Sequence, residues 1–206
     1  MIFKRFILGS YVTNCYLVAD DVTKNAVLFD APADTEKIMD YCAQNEIKIK
    51  YICLTHAHFD HILALNELKE KTGAMLLLHE KEDKYLTDPN LNLLGLAGID
   101  ATIPKADRLL KDGDTINLDS LNFKVIHTPG HTEGGACYLI DNLLISGDTL
   151  FSGSIGRYDF PLGSVEVELR SIKEKLLILD DDTKVYPGHG FSTTIGKERK
   201  ENPCLI

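Results

Sequence analysis

Four apolar, strand-like stretches of this chain each run straight into a loop that carries histidine or aspartate. They are "YICLTHAHFDH" (51–61), "VIHTPGHTEGG" (125–135), "LLISGDTLF" (143–151) and "VYPGHG" (185–190). Groups that titrate near neutrality are costly to bury without partners, so such loops are either exposed or built to meet something. The carboxyl ends of strands are where α/β folds gather their sites, and residues far apart in sequence can converge there. His56, His58, Asp60, His61, His131, Asp148 and His189 are therefore read together. Four strand ends that supply nitrogen and oxygen donors make a metal-site pattern. Taken singly, His131 or His189 would pass for a loop residue and Asp148 for a turn cap.

The rest of the chain alternates in the same way. Strands are expected near 2–8, 12–19, 26–30, 49–54, 75–79, 121–127, 136–141, 143–147 and 183–186. Helices are expected near 34–45, 60–72, 164–179 and 193–201, the second from Ile62, Leu65 and Leu68 at helical spacing with Gly73 as its stop. This is an α/β pattern of a size that one domain, 1–206, accommodates. The segment "FILGSYVTNCYLVAD" after Lys4 and Arg5 imitates a leader, but Ser10, Thr13 and Asn14 interrupt it, and it is read as two strands. No stretch has the length of a membrane span.

Composition narrows the partners. The formal charge is −9 and no basic run forms a stripe, which argues against nucleic acid as a partner. Five scattered cysteines, none spaced Cys-x-x-Cys, read as reduced thiols of a cytoplasmic protein. No G-x-S-x-G nucleophile motif is present, which leaves water as the expected nucleophile. Asp30, ending "AVLFD", is either a partner that orients a ligand histidine or a turn cap. His79 and His127 are assigned structural roles. Arg157 and Asp159 are expected to pair near the cleft, with Tyr158 and Phe160 as lining or packing residues.

"THAHFDH", "HTPGHT", "SGDTLF" and "YPGHG" resemble the successive metal motifs of the metallo-β-lactamase fold superfamily. The C-terminal part resembles its short glyoxalase II-like hydrolases. The resemblance implies an αββα sandwich with two divalent metal ions at one edge. His56, His58 and His131 would hold one, Asp60, His61 and His189 the other, and Asp148 would bridge them. The donor set has no thiolate, which suits zinc first, with iron or manganese also possible. The implied activity is hydrolysis of a small-molecule thioester by a metal-bridging hydroxide, with Asp60 and Asp148 as the catalytic carboxylates and Asp60 as a ligand, not a general base. The chain ends soon after His189, short of the helical domain with which longer glyoxalase II enzymes grip glutathione, so the thiol carrier is left open. Two further readings come with the same motifs: an iron-dependent persulfide dioxygenase, whose Gly-Arg-x-Asp-Phe stretch is matched at 156–160, and a non-catalytic metal-binding module.

Overall fold

The opening residues pair as two antiparallel strands, β1 (Ile2–Leu8) and β2 (Thr13–Ala19), in the computed structural model, which describes residues 1–206. They begin a six-stranded sheet completed in sequence order by β3 (Asn25–Phe29), β4 (Lys48–Cys53), β5 (Met75–His79) and β6 (Arg108–Leu110). Helix α1 (Thr35–Gln44) crosses from β3 to β4, and α2 (Phe59–Ile62) with α3 (Leu65–Thr72) crosses from β4 to β5. A 3-10 stretch (Glu80–Leu86) and α4 (Leu94–Ala97) lie between β5 and β6. The second half builds β7 (Thr115–Leu118), β8 (Leu121–His127), β9 (Ala136–Ile140), β10 (Leu143–Gly147), the small hairpin β11 (Leu150–Phe151) and β12 (Ser154–Ile155), helix α5 (Val165–Ser171), β13 (Lys184–Pro187), β14 (Thr193–Thr194) and α6 (Ile195–Glu201). Its six-stranded sheet runs β14-β13-β10-β9-β8-β7.

Side chains alternate across a strand, so a strand buried on both faces must be apolar at successive positions. Leu17 and Val18, Leu28 and Phe29, Ile52 and Cys53, and Leu76 and Leu77 show this in the first sheet. The second residue of each pair packs between the sheets against Phe123, Val125, Tyr138 and Ile145. The first faces the outer helices, where Ile38 of α1 and Leu65 and Leu68 of α3 cover it. In the second sheet Ile126, Cys137, Leu144 and Val185 turn outward onto Ile172, Leu176 and Ile195. Helices, sheet, sheet and helices make four layers, the αββα sandwich expected from the sequence. No helix is long and apolar enough to cross a membrane.

Three expected helices are corrected. The helix expected over 60–72 breaks at Leu63–Ala64, because Ala31 N–H bonds to His61 O at 2.8 Å and Ala64 N–H to Ala31 O at 2.9 Å, which ties this turn to the end of β3. The helix expected over 164–179 is α-helical only to Ser171, then widens into a π turn (Ile172–Leu176) that keeps both Ile172 and Leu176 in the core. At 193–201, Thr193 and Thr194 instead pair with β13, and the Thr194 hydroxyl caps α6 by accepting from Lys197 N–H.

Candidate metal centre

Every one of the seven histidines and aspartates lies where a strand has just ended. β4 gives way to a loop in which His56 and His58 are buried, and Asp60 and His61 sit in the single turn of α2. β8 leads to the loop of His131, β10 to Asp148 and β13 to His189. Backbone bonds set these loops: Thr128 N–H bonds to Gly135 O at 2.8 Å, and Asn14 N–H to Gly188 O at 2.7 Å. The Asn14 side chain also donates to Pro187 O and Gly190 O, which clamps the turn carrying His189 onto β2.

The seven side chains converge into two groups that share Asp148. His131 Nε2 lies 2.9 Å from His58 Nδ1 and 3.3 Å from His56 Nε2. Asp60 Oδ2 lies 3.2 Å from His189 Nε2 and 3.7 Å from His61 Nε2. Asp148 reaches both groups, with Oδ1 3.5 Å from His61 Nε2 and Oδ2 3.8 Å from His131 Nε2 and 3.5 Å from His189 Nε2. One donor atom from each of His56, His58 and His131, and likewise from Asp60, His61 and His189, lies within 4.8 Å of the others in its group. Metal–nitrogen bonds of ~2.0–2.1 Å in a tetrahedron put ligand atoms roughly 3.3 Å apart, close to the spacing of the first group.

Hydrogen bonds on the far side of the rings decide which nitrogen faces inward. His131 Nδ1 donates to Arg157 O at 2.6 Å, and His61 Nδ1 donates to Asp30 Oδ2 at 2.9 Å, which turns Nε2 of each toward the cluster. Asp30 is thus more than a turn cap. It also accepts from Thr55 N–H at 2.8 Å and Thr55 Oγ1 at 2.9 Å, and Thr55 Oγ1 in turn lies 3.2 Å from His56 Nδ1. Glu82, unmarked in the sequence, fastens two ligand loops by accepting from Ala57 N–H, Thr132 Oγ1 and Gly134 N–H. Burial nonetheless pushes its carboxyl up to about 7.

The electrostatics suit cations. Burial first, and then the neighbouring imidazoles, hold His56 well below the ordinary histidine range. Burial also opposes charge on Asp148, but His61, His131 and His189 outweigh it and keep the carboxylate ionised. His61 Nε2 and Asp148 Oδ1 are buried without a hydrogen-bond partner in the protein. Orphaned acceptors of this kind fit divalent ions.

The cluster floors a cleft of about 380 Å³ walled by Tyr11, Phe59, Leu93, Phe151 and Phe160. A larger hollow of about 490 Å³ lies along Glu80–Thr87 and Lys105–Leu109 and holds none of the seven residues. Arg157 and Asp159 pair as expected, through Nε at 3.0 Å and Nη2 at 2.8 Å, and Phe160 lines the cleft whereas Tyr158 does not. No cysteine reaches the cleft, and burial pushes Cys42 up to about 11 and Cys137 to about 12, so neither of these two is a ready thiolate. His79 and His127 stack on each other at 3.9 Å, away from the cluster.

Known proteins match this arrangement along its whole length. Residues 8–189 fit the family described as the Metallo-beta-lactamase superfamily. The chain is 39% identical to the Probable metallo-hydrolase YqgX of Bacillus subtilis (strain 168), over 100% of its own length and 98% of that protein. It is 37% identical to the Hydroxyacylglutathione hydrolase GloC of Haemophilus influenzae, covering 95% and 94%. Among solved structures, the BLEG-1 B3 metallo-beta-lactamase superposes with a TM-score of 0.93 at 38% identity, covering 100% of both chains. TTHA1623, solved in a di-iron-bound form, superposes with 0.84 at 34%, covering 97% and 98%.

Proposed function

The chain belongs to the Metallo-beta-lactamase superfamily, and from that premise we propose that it is a two-metal thioester hydrolase of one domain, 1–206. His56, His58 and His131 would hold one cation and Asp60, His61 and His189 the second, with Asp148 shared. Cations there would lower the pKa of water from 15.7 to about 7 and polarise a substrate carbonyl. Zinc is the first choice, and iron has a precedent in the di-iron form of TTHA1623.

One observation carries the choice of thioester. Apart from Tyr11 and the already paired Arg157, every titratable group lining the cleft belongs to the seven-residue cluster. Asp60 is engaged with His189 and accepts from Thr13 Oγ1 at 3.2 Å, so it is a ligand and not a free acid. With no carboxylic acid or histidine outside the cluster to donate a proton, a leaving group that departs unaided is favoured, and a thiolate with a conjugate-acid pKa near ~8.5 does so. The hydroxyacylglutathione hydrolase named among the relatives supports the same reading. The four buried, unpaired cysteines suit the reducing cytoplasm.

The test is metal analysis of protein purified without added metal, then assays on a hydroxyacyl thioester and on glutathione persulfide with an oxygen electrode. Two divalent ions per chain and thioester hydrolysis that a chelator abolishes and zinc restores are expected. His61→Ala should bring the count from about two toward one. One iron with oxygen uptake would establish the dioxygenase instead, and full loading without turnover would leave a binding module.

A further inference from the structure

The walls of the cleft carry a selectivity that its floor does not. Tyr11 and Phe59 meet edge to face at 4.8 Å, and Phe160 lies 5.2 Å from His58 and 6.0 Å from His131, directly beside the first ligand group. Leu93 completes the wall from a backbone with φ +65, a left-handed conformation that costs a leucine about 1–2 kcal/mol. Strain of this kind concentrates where a side chain has to be aimed. The apolar surface does not stop at the cleft. Val12 and Phe191 are exposed on the two turns that flank His189, and Leu162, also with positive φ, is exposed on the loop that supplies Arg157 and Phe160.

Cationic surface is nearly absent by comparison. Arg157 is the one lysine or arginine lining the cleft. Its guanidinium is held bidentately by Asp159 and lies 4.4 Å over the Phe160 ring, so its charge is already answered. The chain as a whole carries −9. A substrate carboxylate that reaches the walls therefore finds no unpaired lysine or arginine, while a hydrocarbon finds apolar and aromatic side chains.

We propose that Tyr11, Phe59, Leu93 and Phe160 form an acyl-chain site, which makes the preferred substrates thioesters of uncharged, apolar acids and disfavours acyl groups that carry a carboxylate. The inference rests on the thioester reading. Hydrolysis of such an ester forms a C–O bond from water to the acyl carbon and breaks the C–S bond. Sulfur leaves with the bonding pair, and the water protons pass to the thiolate and the medium.

The test is a matched series of N-acetylcysteamine thioesters, namely acetyl, hexanoyl and succinyl, at one pH and one metal loading. A fully buried methylene is worth roughly fourfold. Four additional methylenes laid half-buried along the wall should raise kcat/KM for hexanoyl over acetyl by at least about tenfold, chiefly through KM. Succinyl should fall below acetyl. Phe160→Ala and Tyr11→Ala should each shrink the hexanoyl-to-acetyl ratio at least about threefold. Asp159→Asn, by freeing Arg157, should raise the succinyl-to-hexanoyl ratio about tenfold. Equal rates across the series, or a preference for succinyl, would overturn the acyl-chain site while leaving thioester hydrolysis intact. If no ester is hydrolysed, the thioester reading fails, and calorimetric binding of the non-hydrolysable hexanoyl and acetyl amides decides the site by itself. Tenfold tighter hexanoyl binding supports it, and equal binding overturns it.

Discussion

Replacing Asp30 by asparagine should cost the second cation site its affinity without disturbing the fold. Asp30 has a φ of +63, a left-handed conformation that asparagine tolerates better than other side chains with a Cβ, so the backbone has no reason to move. The Oδ1 position still accepts from Thr55 N–H. The Oδ2 position becomes an NH₂ facing two donors, Thr55 Oγ1 and His61 Nδ1, each 2.9 Å away. The threonine hydroxyl can rotate to accept, but the His61 imidazole relieves the clash only by moving its proton to Nε2, the atom aimed at Asp60 and Asp148. A protonated Nε2 has no lone pair for a metal. Loss of such an orienting carboxylate typically weakens metal binding 10–100-fold, about 1.4–2.7 kcal/mol. The charge-assisted bonds lost in the metal-free protein add about 1.5–3 kcal/mol of instability. Chelator competition with metal content read by mass spectrometry should show the site of Asp60, His61 and His189 weakened more than the other, which Asp30 reaches only indirectly, through Thr55 Oγ1 and His56 Nδ1. Two ions per chain at wild-type affinity would refute the tautomer argument.

Three further outcomes are expected. Asp148→Asn should lower turnover roughly 10²-fold or more, since one carboxylate serves both ligand groups; near-normal turnover with two ions retained would end its bridging role. Gly188→Ala would place a Cβ 2.8 Å from His61 Cε1 and closer still to Asp148 Oδ1, so turnover should fall by about 10²-fold with circular dichroism unchanged, and wild-type activity would show that the cluster has slack there. Burial, then the charges of His127 and Lys81, bring His79 down to about 4 from 6.5, so the unfolded chain binds a proton first as pH falls. The stability this group preserves above pH 6.5 should drain away toward pH 4, by about 2 kcal/mol between pH 7 and pH 5. Urea titrations of wild type and His79→Gln at those two pH values should differ by that amount, and parallel losses would remove His79 from the account.

Strands buried on both faces were the most legible part of the sequence, because continuous runs such as "MLLLH" and "LLISG" have few other uses; the structure gives strands at Met75–His79 and Leu143–Gly147, as expected. The seven cluster residues were legible because each follows such a run. Features set by partners distant in sequence were not. Nothing separates Glu82 from Glu80 in "HEKEDKYL" until Ala57, Thr132 and Gly134 close around it. The break after α2 is imposed by Ala31, which helical spacing cannot register. The short strands β6, β7, β11, β12 and β14 have only two to four residues each, too few to show a period. Asp30 was visible as an oddity, and its role emerged only with His61 beside it.

The seven side chains do not hang from one sheet. His56, His58, Asp60 and His61 follow β4 of the first, while His131, Asp148 and His189 follow β8, β10 and β13 of the second. Cations held among them would rivet the two halves of the sandwich along an edge that Asn14 and Glu82 already tie by hydrogen bonds. Any ligand of the folded state adds RT ln(1 + [L]/Kd), about 4 kcal/mol at a thousandfold excess over Kd, a large share of the ~5–15 kcal/mol that holds a domain together. The same ions that equip the cleft for chemistry would then set how long the protein survives proteases, and its abundance in a cell would follow the supply of free metal.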